Sequence, residues 1–483
     1  MFFKDLRSQA RQNMLNSSLF RKTYILTLSF EMLAFLNIIS LAVKSLVLCW
    51  GLFILIHDFF IEKRAFKVAH KNLFWAFLIS MTLTSCVHFT VWFVPNLVII
   101  YYTAVCFFIF YGMYTEQSLK KTEQEMIFIF KFWSVFATVC GLLSLMLLLV
   151  KNEYTIFGYN LGIFRNRLIG IYTNSNILAF SMVQSIVACD FLANHYISAR
   201  AGAKKPNVIF LIFCVIVNSV CLFLSDSNAS FLFLIIYCAI RFFCNLFFRE
   251  KNFKGIRLLK TLMIVMAFCL VMVSACFALR SVCQKFMSVI VNDVHRQERV
   301  VKNIINGNNP DDVIKSVDEH IDSIIIQGED GSGAHIGRSN YEVSSGRITL
   351  LKQGIKIFKH NPIIGMGRAN LLLYGKRYLK NGLIHPDLHN GYLTILVCYG
   401  LLGFGIFAII TFVVALDVCK HLFSSTGKNY FSVFKRLFSV LVAYCGYCLF
   451  EKAILFDMTF MVGFFWLILG YTMAYIKNFS KNN

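Results

Sequence analysis

The stretch HPDLHNGYL, residues 385–393, places two histidines and an aspartate directly before a long apolar run. Imidazole is the side chain best suited to accept a proton near neutral pH, so His389 is a candidate general base. Two histidines four residues apart could also bind zinc from one helix face, but Pro386 lies between His385 and His389 and no HExxH is present. A polar collar at a helix end is the other interpretation that the local pattern allows.

Arginines precede two further predicted helices. Arg165 and Arg167 in RNRLIG come before an apolar run, and Arg347 follows SSG at the start of an amphipathic stretch. A guanidinium is permanently charged and presents a planar fork of donors, which suits phosphate oxygens. Snorkelling to lipid headgroups is the alternative for Arg165 and Arg167, and a solvated surface position is the alternative for Arg347. Asn174 and Asn176 lie at a predicted helix start, where capping is the default role.

The segment NPIIGMGRANL, residues 361–371, contains a GxG turn followed by Arg368. Successive backbone amides in such a turn could face an anion beside the arginine. An ordinary turn is the more frequent explanation of this pattern. Asn390, directly after His389, is a further candidate contact.

The composition indicates whether these residues belong to a soluble protein or to a membrane protein. Of 483 residues, 58% are hydrophobic and 15% are charged, which predicts an all-α polytopic membrane protein. The net charge of +22 would be compatible with nucleic-acid binding in a soluble protein. Here the basic residues lie mostly in short connections between apolar runs, so membrane topology explains them and no nucleic-acid partner is expected.

Apolar runs of spanning length predict about twelve transmembrane helices. Their predicted limits are 24–43, 45–61, 72–90, 95–114, 126–150, 174–194, 207–225, 229–248, 259–280, 390–415, 434–453 and 456–476. Basic connections alternate along the chain, which predicts that both termini are cytoplasmic and that the arginines and His389 are extracytoplasmic.

This topology divides the chain into three parts. Residues 1–280 form an N-terminal bundle of about nine helices, residues 281–389 a large extracytoplasmic loop, and residues 390–483 about three C-terminal helices. A structureless loop of that length is unusual, so it should contain helices. One is predicted to begin at Asn309 and Pro310, and another to cover residues 347–359. The glycine-rich stretch 328–337 lacks GK[ST] and is interpreted as a flexible connection.

Taken together, these motifs resemble a known family. RLIG followed by NSNILAF, SGRITLLKQGIKIFKHNPIIGMG in the large loop, HNGYLTILVCYGLLGFGIF and the late FFWLILG are similar to the O-antigen ligase and Wzy-type polymerase superfamily. The resemblance covers the chain from about Arg165 onward. It implies a metal-independent glycosyltransferase of the bacterial inner membrane, without a cofactor, whose donor is a glycan on undecaprenyl diphosphate. Arg167 and Arg347 would bind the diphosphate and His389 would lie at the reacting centre.

The resemblance leaves the acceptor open. A polymerase joins lipid-linked repeat units of O-antigen or capsule, whereas a ligase transfers the glycan to lipid A core or another surface acceptor. We expect a polymerase, with a flippase and a chain-length regulator of the same pathway as candidate partners. A transporter or flippase is the alternative from another class, but such proteins usually place ionisable groups along a path at mid-membrane.

Overall fold

The computed structural model describes residues 13–150, 154–156, 158–164, 166–194, 207–248, 255–305, 346–424 and 430–480. Arg165, the helix predicted to begin at Asn309 and the glycine-rich stretch 328–337 lie outside the described residues. The helices are α1 (Ser17–Glu31), α2 (Asn37–Ile56), α3 (Lys71–Val87), α4 (Phe93–Val105), α5 (Leu119–Val150), α6 (Ser175–Leu192), α7 (Val208–Ser225), α8 (Asn228–Phe247), α9 (Gly255–Ile305), α10 (Arg347–Phe358), α11 (Leu371–Tyr378), α12 (Gly391–Ser424), α13 (Phe431–Tyr447) and α14 (Phe460–Ser480).

The described chain is an all-α polytopic membrane protein, as the composition predicts. Within the described ranges, nine helices are long and apolar enough to cross a membrane, judged by length and composition. The other three predicted spans correspond to the shorter helices α1, α3 and α13. In addition, α2 continues into a π-helical turn at His57–Ile61, and α4 continues through two irregular helical segments to Thr115.

Two predicted boundaries differ from the structure. The sequence placed the division between the first two helices at Lys44, but the chain breaks between Glu31 and Asn37, and Lys44 lies inside α2. Lys44 forms an ion pair with Glu31, so this charge is neutralised inside the helix pair and does not end a helix. The predicted division at residue 280 falls within α9, and the three-part organisation stays a prediction.

Helices α6 and α14 are the most buried of the long apolar helices in the described part of the chain. Helix α6 packs against α5 and α7, and α14 packs against α13 and the end of the α4 segment. Most side chains of both helices are buried, whereas α9 exposes its apolar side chains along the spanning part. We infer that α9 lies at the lipid-facing periphery, because its exposed surface is hydrocarbon.

A buried ion cluster joins α1 to α5. Arg21 is fully buried; its Nε lies 2.9 Å from Glu125 Oε1 and its Nη1 lies 2.6 Å from Glu116 Oε1. Ser18 also donates to Glu125, at 2.5 Å. The guanidinium is thus satisfied by two carboxylates, which is the arrangement that a buried charge requires.

The connection between α5 and α6 forms a small antiparallel sheet that the sequence did not predict. Its strands, β1 (Tyr154–Ile156), β2 (Tyr159–Phe164) and β3 (Arg167–Gly170), lie in the order β1-β2-β3. The turn before β3 uses Asn166 at φ 56°, a conformation that asparagine tolerates better than most residues. Strand β3 rests on α5, α6 and α7, so the first residue of this strand projects beside the ends of those helices.

Helix α12 is interrupted at Gly400, where φ is 62° and ψ is −166°. Two amides after the break, those of Leu401 and Leu402, donate to Pro362 O and Ile363 O at 2.7 and 3.0 Å. A Cβ at Gly400 would lie 2.3 Å from Ile363 O, so only glycine permits this approach. The loop after α10 is therefore fixed against the break in α12.

Candidate functional site

His389 lies in the turn that leads into α12, and this turn is attached to the end of α13. Asn390 caps α12, because its Oδ1 accepts from Leu393 N at 2.9 Å, and its Nδ2 donates to Leu449 O at 3.0 Å. Gly391 N donates to Cys448 O at 2.8 Å. His389 itself has φ 45°, a backbone conformation that is uncommon for a non-glycine residue and is found at functional sites.

Glu451 connects the predicted site residues. It follows α13, and its side chain is 13% exposed. One carboxylate oxygen, Oε2, lies 3.0 Å from His389 Nδ1, and the other, Oε1, lies 3.4 Å from both Arg347 Nη2 and Asn176 Nδ2. Because a carboxylate accepts, His389 donates through Nδ1–H, and the neutral ring then carries its lone pair on Nε2. The arrangement therefore presents Nε2 as the proton acceptor.

Arg347 begins α10, after Gly346 at φ 75°. Its guanidinium carbon lies 5.4 Å from the centroid of the Phe450 ring, which is within cation–π range. The side chain is 24% exposed and lies against Glu451 at 3.4 Å, a loose contact for an ion pair. Arg347 is thus held in place by an aromatic face while its donors remain accessible to a stronger acceptor.

Arg167 is the first residue of β3 and reaches the same carboxylate through an asparagine. Its Nε donates to Ser225 O at 2.7 Å, a carbonyl at the C-terminal end of α7, where helix carbonyls lack partners within the helix. Its Nη2 donates to Asn176 Oδ1 at 2.8 Å, and Asn176 in turn donates to Glu451. These contacts direct Arg167 into the protein and not toward lipid headgroups.

Asn174 and Asn176 have different roles despite similar sequence positions. Asn174 is the N-cap of α6, since its Oδ1 accepts from Ile177 N at 2.9 Å, as the capping interpretation predicts. Asn176 makes its side-chain hydrogen bonds to Arg167 and Glu451. Capping therefore explains the first asparagine, and the second belongs to the site.

His385 faces the other ring nitrogen of His389. The two Nε2 atoms are 3.4 Å apart, and the ring centroids are 4.3 Å apart. Partial burial and the neighbouring His389 lower the pKa of His385, although Asp387 opposes this shift. The His385 side chain is exposed.

A second charged group lies beside the first. Arg368 Nη2 is 3.0 Å from Asp387 Oδ1 and 3.4 Å from Asp457 Oδ1, and Lys452 forms ion pairs with both aspartates. Burial alone would raise the pKa of Asp457, but Lys452 and Arg368 outweigh it and lower this pKa. Asp387 lies two residues before His389, and Lys452 directly follows Glu451. The second charged group is therefore adjacent along the chain to the group around Glu451.

The GxG turn before Arg368 does not offer its amides to an anion. Met366 N and Gly367 N both donate to Cys398 O, at 3.0 and 2.8 Å. A Cβ at Gly365 would lie 2.4 Å from the Cys398 carbonyl group, which explains the first glycine of the turn. The ordinary-turn interpretation is therefore correct here, and the possible anion-facing amides are already satisfied.

An apolar cavity of about 140 Å³ lies between α12, α13 and α14. It begins at Tyr392, three residues after His389, and continues past Phe407 and Ile410 to Val418. Except for Thr411, the residues that line it have apolar or aromatic side chains or are cysteines. A hydrocarbon chain is the kind of ligand that such a lining accommodates.

The structure brings three of the predicted residues together, namely His389, Arg347 and Arg167, around a carboxylate that the sequence interpretation missed. Arg368 lies in the neighbouring charged group, and Asn390 is a helix cap. Glu451 lies near the end of the predicted span 434–453, where the sequence predicts no site residue. The feature of the sequence that could have indicated Glu451 is the pair Glu451 and Lys452 at the end of an apolar run, where a charged side chain needs a partner.

Comparison with known proteins agrees with the sequence resemblance. A family model described as O-Antigen ligase matches residues 213–408, about two-fifths of the chain. The match includes Arg347, Arg368 and His389 and ends before Glu451. It confirms the resemblance to the O-antigen ligase and Wzy-type superfamily and supports a membrane function of ligase or polymerase type in general. None of the curated proteins searched matches the chain.

Proposed function

We propose that this chain is a glycosyltransferase that polymerises undecaprenyl-diphosphate-linked oligosaccharide repeat units at the outer face of the cytoplasmic membrane. The observation that carries the proposal is the Glu451 carboxylate, which lies 3.0 Å from His389 Nδ1 and 3.4 Å from Arg347 Nη2. A single carboxylate thus contacts both His389, the proposed base, and Arg347, a side chain of the type that binds phosphate. A ligase that uses the same donor with a different acceptor is the alternative.

His389 acts as the general base in this proposal. Glu451 holds the Nδ1–H tautomer, so Nε2 accepts the proton of the acceptor hydroxyl while the hydroxyl oxygen attacks the anomeric carbon of the donor. A new glycosidic C–O bond forms as the bond between that carbon and the phosphate oxygen breaks. A single displacement of this kind inverts the configuration at the anomeric carbon.

The arginines stabilise the leaving group. The electron pair of the broken bond stays on the lipid diphosphate, where Arg347 and Arg167 offset the developing negative charge. The contact of Arg347 with Glu451 is loose at 3.4 Å, so a phosphate oxygen at ordinary hydrogen-bond distance would replace it favourably. Arg167 keeps its Nε on Ser225 O, and its Nη2, which donates to Asn176 Oδ1 at 2.8 Å, would turn to the phosphate.

The apolar cavity beside Tyr392 suits a short part of the polyprenyl tail of the donor. It adjoins the turn that carries His389 and is lined almost entirely by carbon. A lipid whose diphosphate lies at Arg347 would extend its isoprenoid chain between α12 and α13. This placement explains why a site for a polar sugar and an apolar cavity occur side by side.

The test is transfer by the purified full-length chain in lipid nanodiscs, with lipid-linked glycan extracted from a strain that lacks the gene. His389→Ala should lose transfer, whereas His360→Ala, a histidine that stacks on Tyr378 at 3.8 Å, should retain it. Wild-type transfer by His389→Ala would reject the base role. No glycan turnover by the wild-type protein, with transport of the lipid instead, would support the flippase alternative.

Surface glycan of the deletion strain separates the two transfer reactions. Loss of the long ladder with single repeat units still attached indicates a polymerase. Long polymer that accumulates on its lipid carrier indicates a ligase. Complementation with wild-type and His389→Ala genes shows which phenotype depends on the proposed site.

A further inference from the structure

The second charged group is a closed ring of four ion pairs between three segments of the chain. Arg368 follows the GxG turn, Asp387 lies in the turn before α12, and Lys452 and Asp457 lie between α13 and α14. Arg368 Nη2 is 3.0 Å from Asp387 Oδ1 and 3.4 Å from Asp457 Oδ1, and Lys452 forms ion pairs with both aspartates. Each cation therefore contacts both carboxylates, and this ion-pair ring holds the three segments together.

The charges of the ion-pair ring are balanced, which makes it a poor site for a phosphate. Two basic and two acidic side chains cancel in charge, and their exposed fractions are only 9–27%. A phosphate at Arg368 would have to displace a carboxylate from a mostly buried ion pair and leave that carboxylate without a partner. Arg347, by contrast, makes a loose contact of 3.4 Å with Glu451. We therefore expect Arg368 to retain its aspartates when the donor binds.

Arg368 is attached firmly to the helical bundle. Gly367 N donates to Cys398 O on α12 at 2.8 Å, and Ala369 N donates to Asn96 Oδ1 on α4 at 3.0 Å. The backbone amides on both sides of Arg368 are therefore bonded to helices of the bundle. This arginine is thus a fixed point to which the two aspartates are held.

Two members of the ion-pair ring are close in sequence to the residues of the proposed reaction. Asp387 lies two residues before His389, and Lys452 directly precedes no other site residue but follows Glu451. Neighbouring Cα atoms are about 3.8 Å apart along the chain, so a shift of Asp387 or Lys452 is passed on to the site residue beside it. The ring therefore constrains both partners of the 3.0 Å contact between His389 Nδ1 and Glu451 Oε2.

The turn that carries His389 is held on both sides. Asn390 and Gly391 hold it on the C-terminal side, through carbonyls at the end of α13. Asp387 holds it on the N-terminal side, through the ion-pair ring. His389 has φ 45°, a conformation that persists in a non-glycine residue where the surrounding contacts enforce it. Without the ring, the turn would lose the enforcing contact on its N-terminal side.

We propose that Arg368 and Lys452 are positioning residues, which keep His389 in contact with Glu451 through the ion-pair ring and do not bind the donor diphosphate. The inference rests on the glycosyl transfer proposed at His389. Loss of the ring should lower the rate of the step in which His389 accepts the proton. It should leave the affinity for the lipid-linked glycan unchanged, because the side chains proposed to bind phosphate lie outside the ring.

The experiment measures steady-state transfer by Arg368→Gln, with the full-length chain in lipid nanodiscs and lipid-linked glycan from the deletion strain. A misplacement of reacting groups by about 1 Å can cost about 100-fold in rate, so kcat should fall about 10- to 100-fold. KM for the lipid-linked glycan should stay within about twofold, because binding common to the ground state and the transition state is kept. Arg368→Lys keeps the charge and should recover part of kcat. Arg377→Gln is the matched control, because Arg377 is exposed on α11 and lies 5.7 Å from the centroid of the Tyr378 ring.

A double variant separates positioning from an independent role. If Arg368 acts through the contact of His389 with Glu451, its replacement loses most of its effect once the Glu451 carboxylate has gone. Arg368→Gln added to Glu451→Gln should therefore slow transfer by less than about threefold beyond Glu451→Gln alone. Losses that multiply would overturn the proposal, because they would mean that Arg368 acts independently of this contact.

Asp387→Asn tests the ion-pair ring even if Arg368→Gln does not fold, because it keeps the shape of the side chain and removes only its charge. Its kcat should fall about three- to tenfold, the difference between a charged and a neutral hydrogen bond. Wild-type kcat in Asp387→Asn, or a raised KM with unchanged kcat in Arg368→Gln, would overturn the positioning role. If the wild-type protein turns over no glycan, the proposed function fails and this role with it. Loss of transfer in His389→Ala with normal kcat in Arg368→Gln rejects the positioning role alone.

Discussion

Replacement of Glu451 by glutamine should reduce kcat about 10- to 100-fold. The carboxylate accepts from His389 Nδ1 at 3.0 Å, and in the proposed reaction the ring gains a positive charge as it takes the proton of the acceptor hydroxyl. A hydrogen bond to a charged group contributes about 1.5–3 kcal/mol, and about 1.4 kcal/mol corresponds to a tenfold change in rate. The contacts to Arg347 and Asn176 at 3.4 Å are weaker and should add little.

The orientation of the new amide determines where in this range the variant falls. If its oxygen faces His389, the Nδ1–H tautomer persists and only the charge is lost. If its nitrogen faces His389, Nδ1 must become the acceptor and Nε2 carries the proton, so the ring cannot act as a base until it changes tautomer. The second case gives the larger loss.

The assay is single-turnover transfer of lipid-linked glycan by purified protein. Glu62→Gln is a matched control, because Glu62 is exposed and lies 3.6 Å from Arg64. The double variant of Glu451→Gln with His389→Ala should be no slower than His389→Ala alone, because a positioning residue acts only through the residue that it positions. Wild-type kcat in Glu451→Gln, or multiplied losses in the double variant, would refute this reasoning.

Three other predictions concern stability. Arg21→Met should lower the free energy of unfolding by about 3–5 kcal/mol, measured by thermal unfolding, because it leaves the buried charge of Glu125 without its arginine. Adding Glu125→Gln should restore part of this free energy. No recovery would contradict the ion-pair explanation. Acidification from pH 7 to pH 5 should destabilise the wild-type protein more than His385→Asn. Because the pKa of His385 is lower in the folded protein, the unfolded chain binds a proton at this histidine at a higher pH than the folded protein does. The folded protein therefore loses stability as the pH falls below the pKa of the unfolded chain. Identical pH profiles of the two proteins would contradict this. Gly400→Ala should lower the melting temperature well below that of Gly405→Ala, since a Cβ meets a carbonyl only at the first position.

The helical architecture could be predicted because apolar run length is a local property. Each predicted span has a helix, and Arg347 begins the loop helix as its amphipathic pattern indicates. The division at Lys44 was wrong because a single cation was interpreted as a helix boundary, whereas its partner Glu31 is 13 residues away in sequence. Ion pairs between neighbouring helices are not visible in hydropathy.

The site could be predicted only in part, for a similar reason. His389 and the two arginines are recognisable from their types and from motifs that surround them. Glu451 has no motif, and its importance arises from contacts with residues 62, 104 and 275 positions away. The small sheet was missed because its strands are only three to six residues long and lie in a polar connection.

The elements that hold His389, the proposed base, differ from those that hold Arg167 and Arg347, which are proposed to bind phosphate. His389 is fixed against Glu451 because Asn390 and Gly391 bond the carbonyls of Leu449 and Cys448, so two helix ends define this distance. Arg167 comes from the sheet and Arg347 from α10; Arg347 is linked to His389 through Glu451, and Arg167 through Asn176 and Glu451. In the proposed reaction, a diphosphate that draws Arg347 away from Glu451 would leave the carboxylate with His389, its closest partner at 3.0 Å. Donor binding would therefore concentrate the Glu451 charge on the imidazole, at the stage of the reaction when the ring must accept a proton.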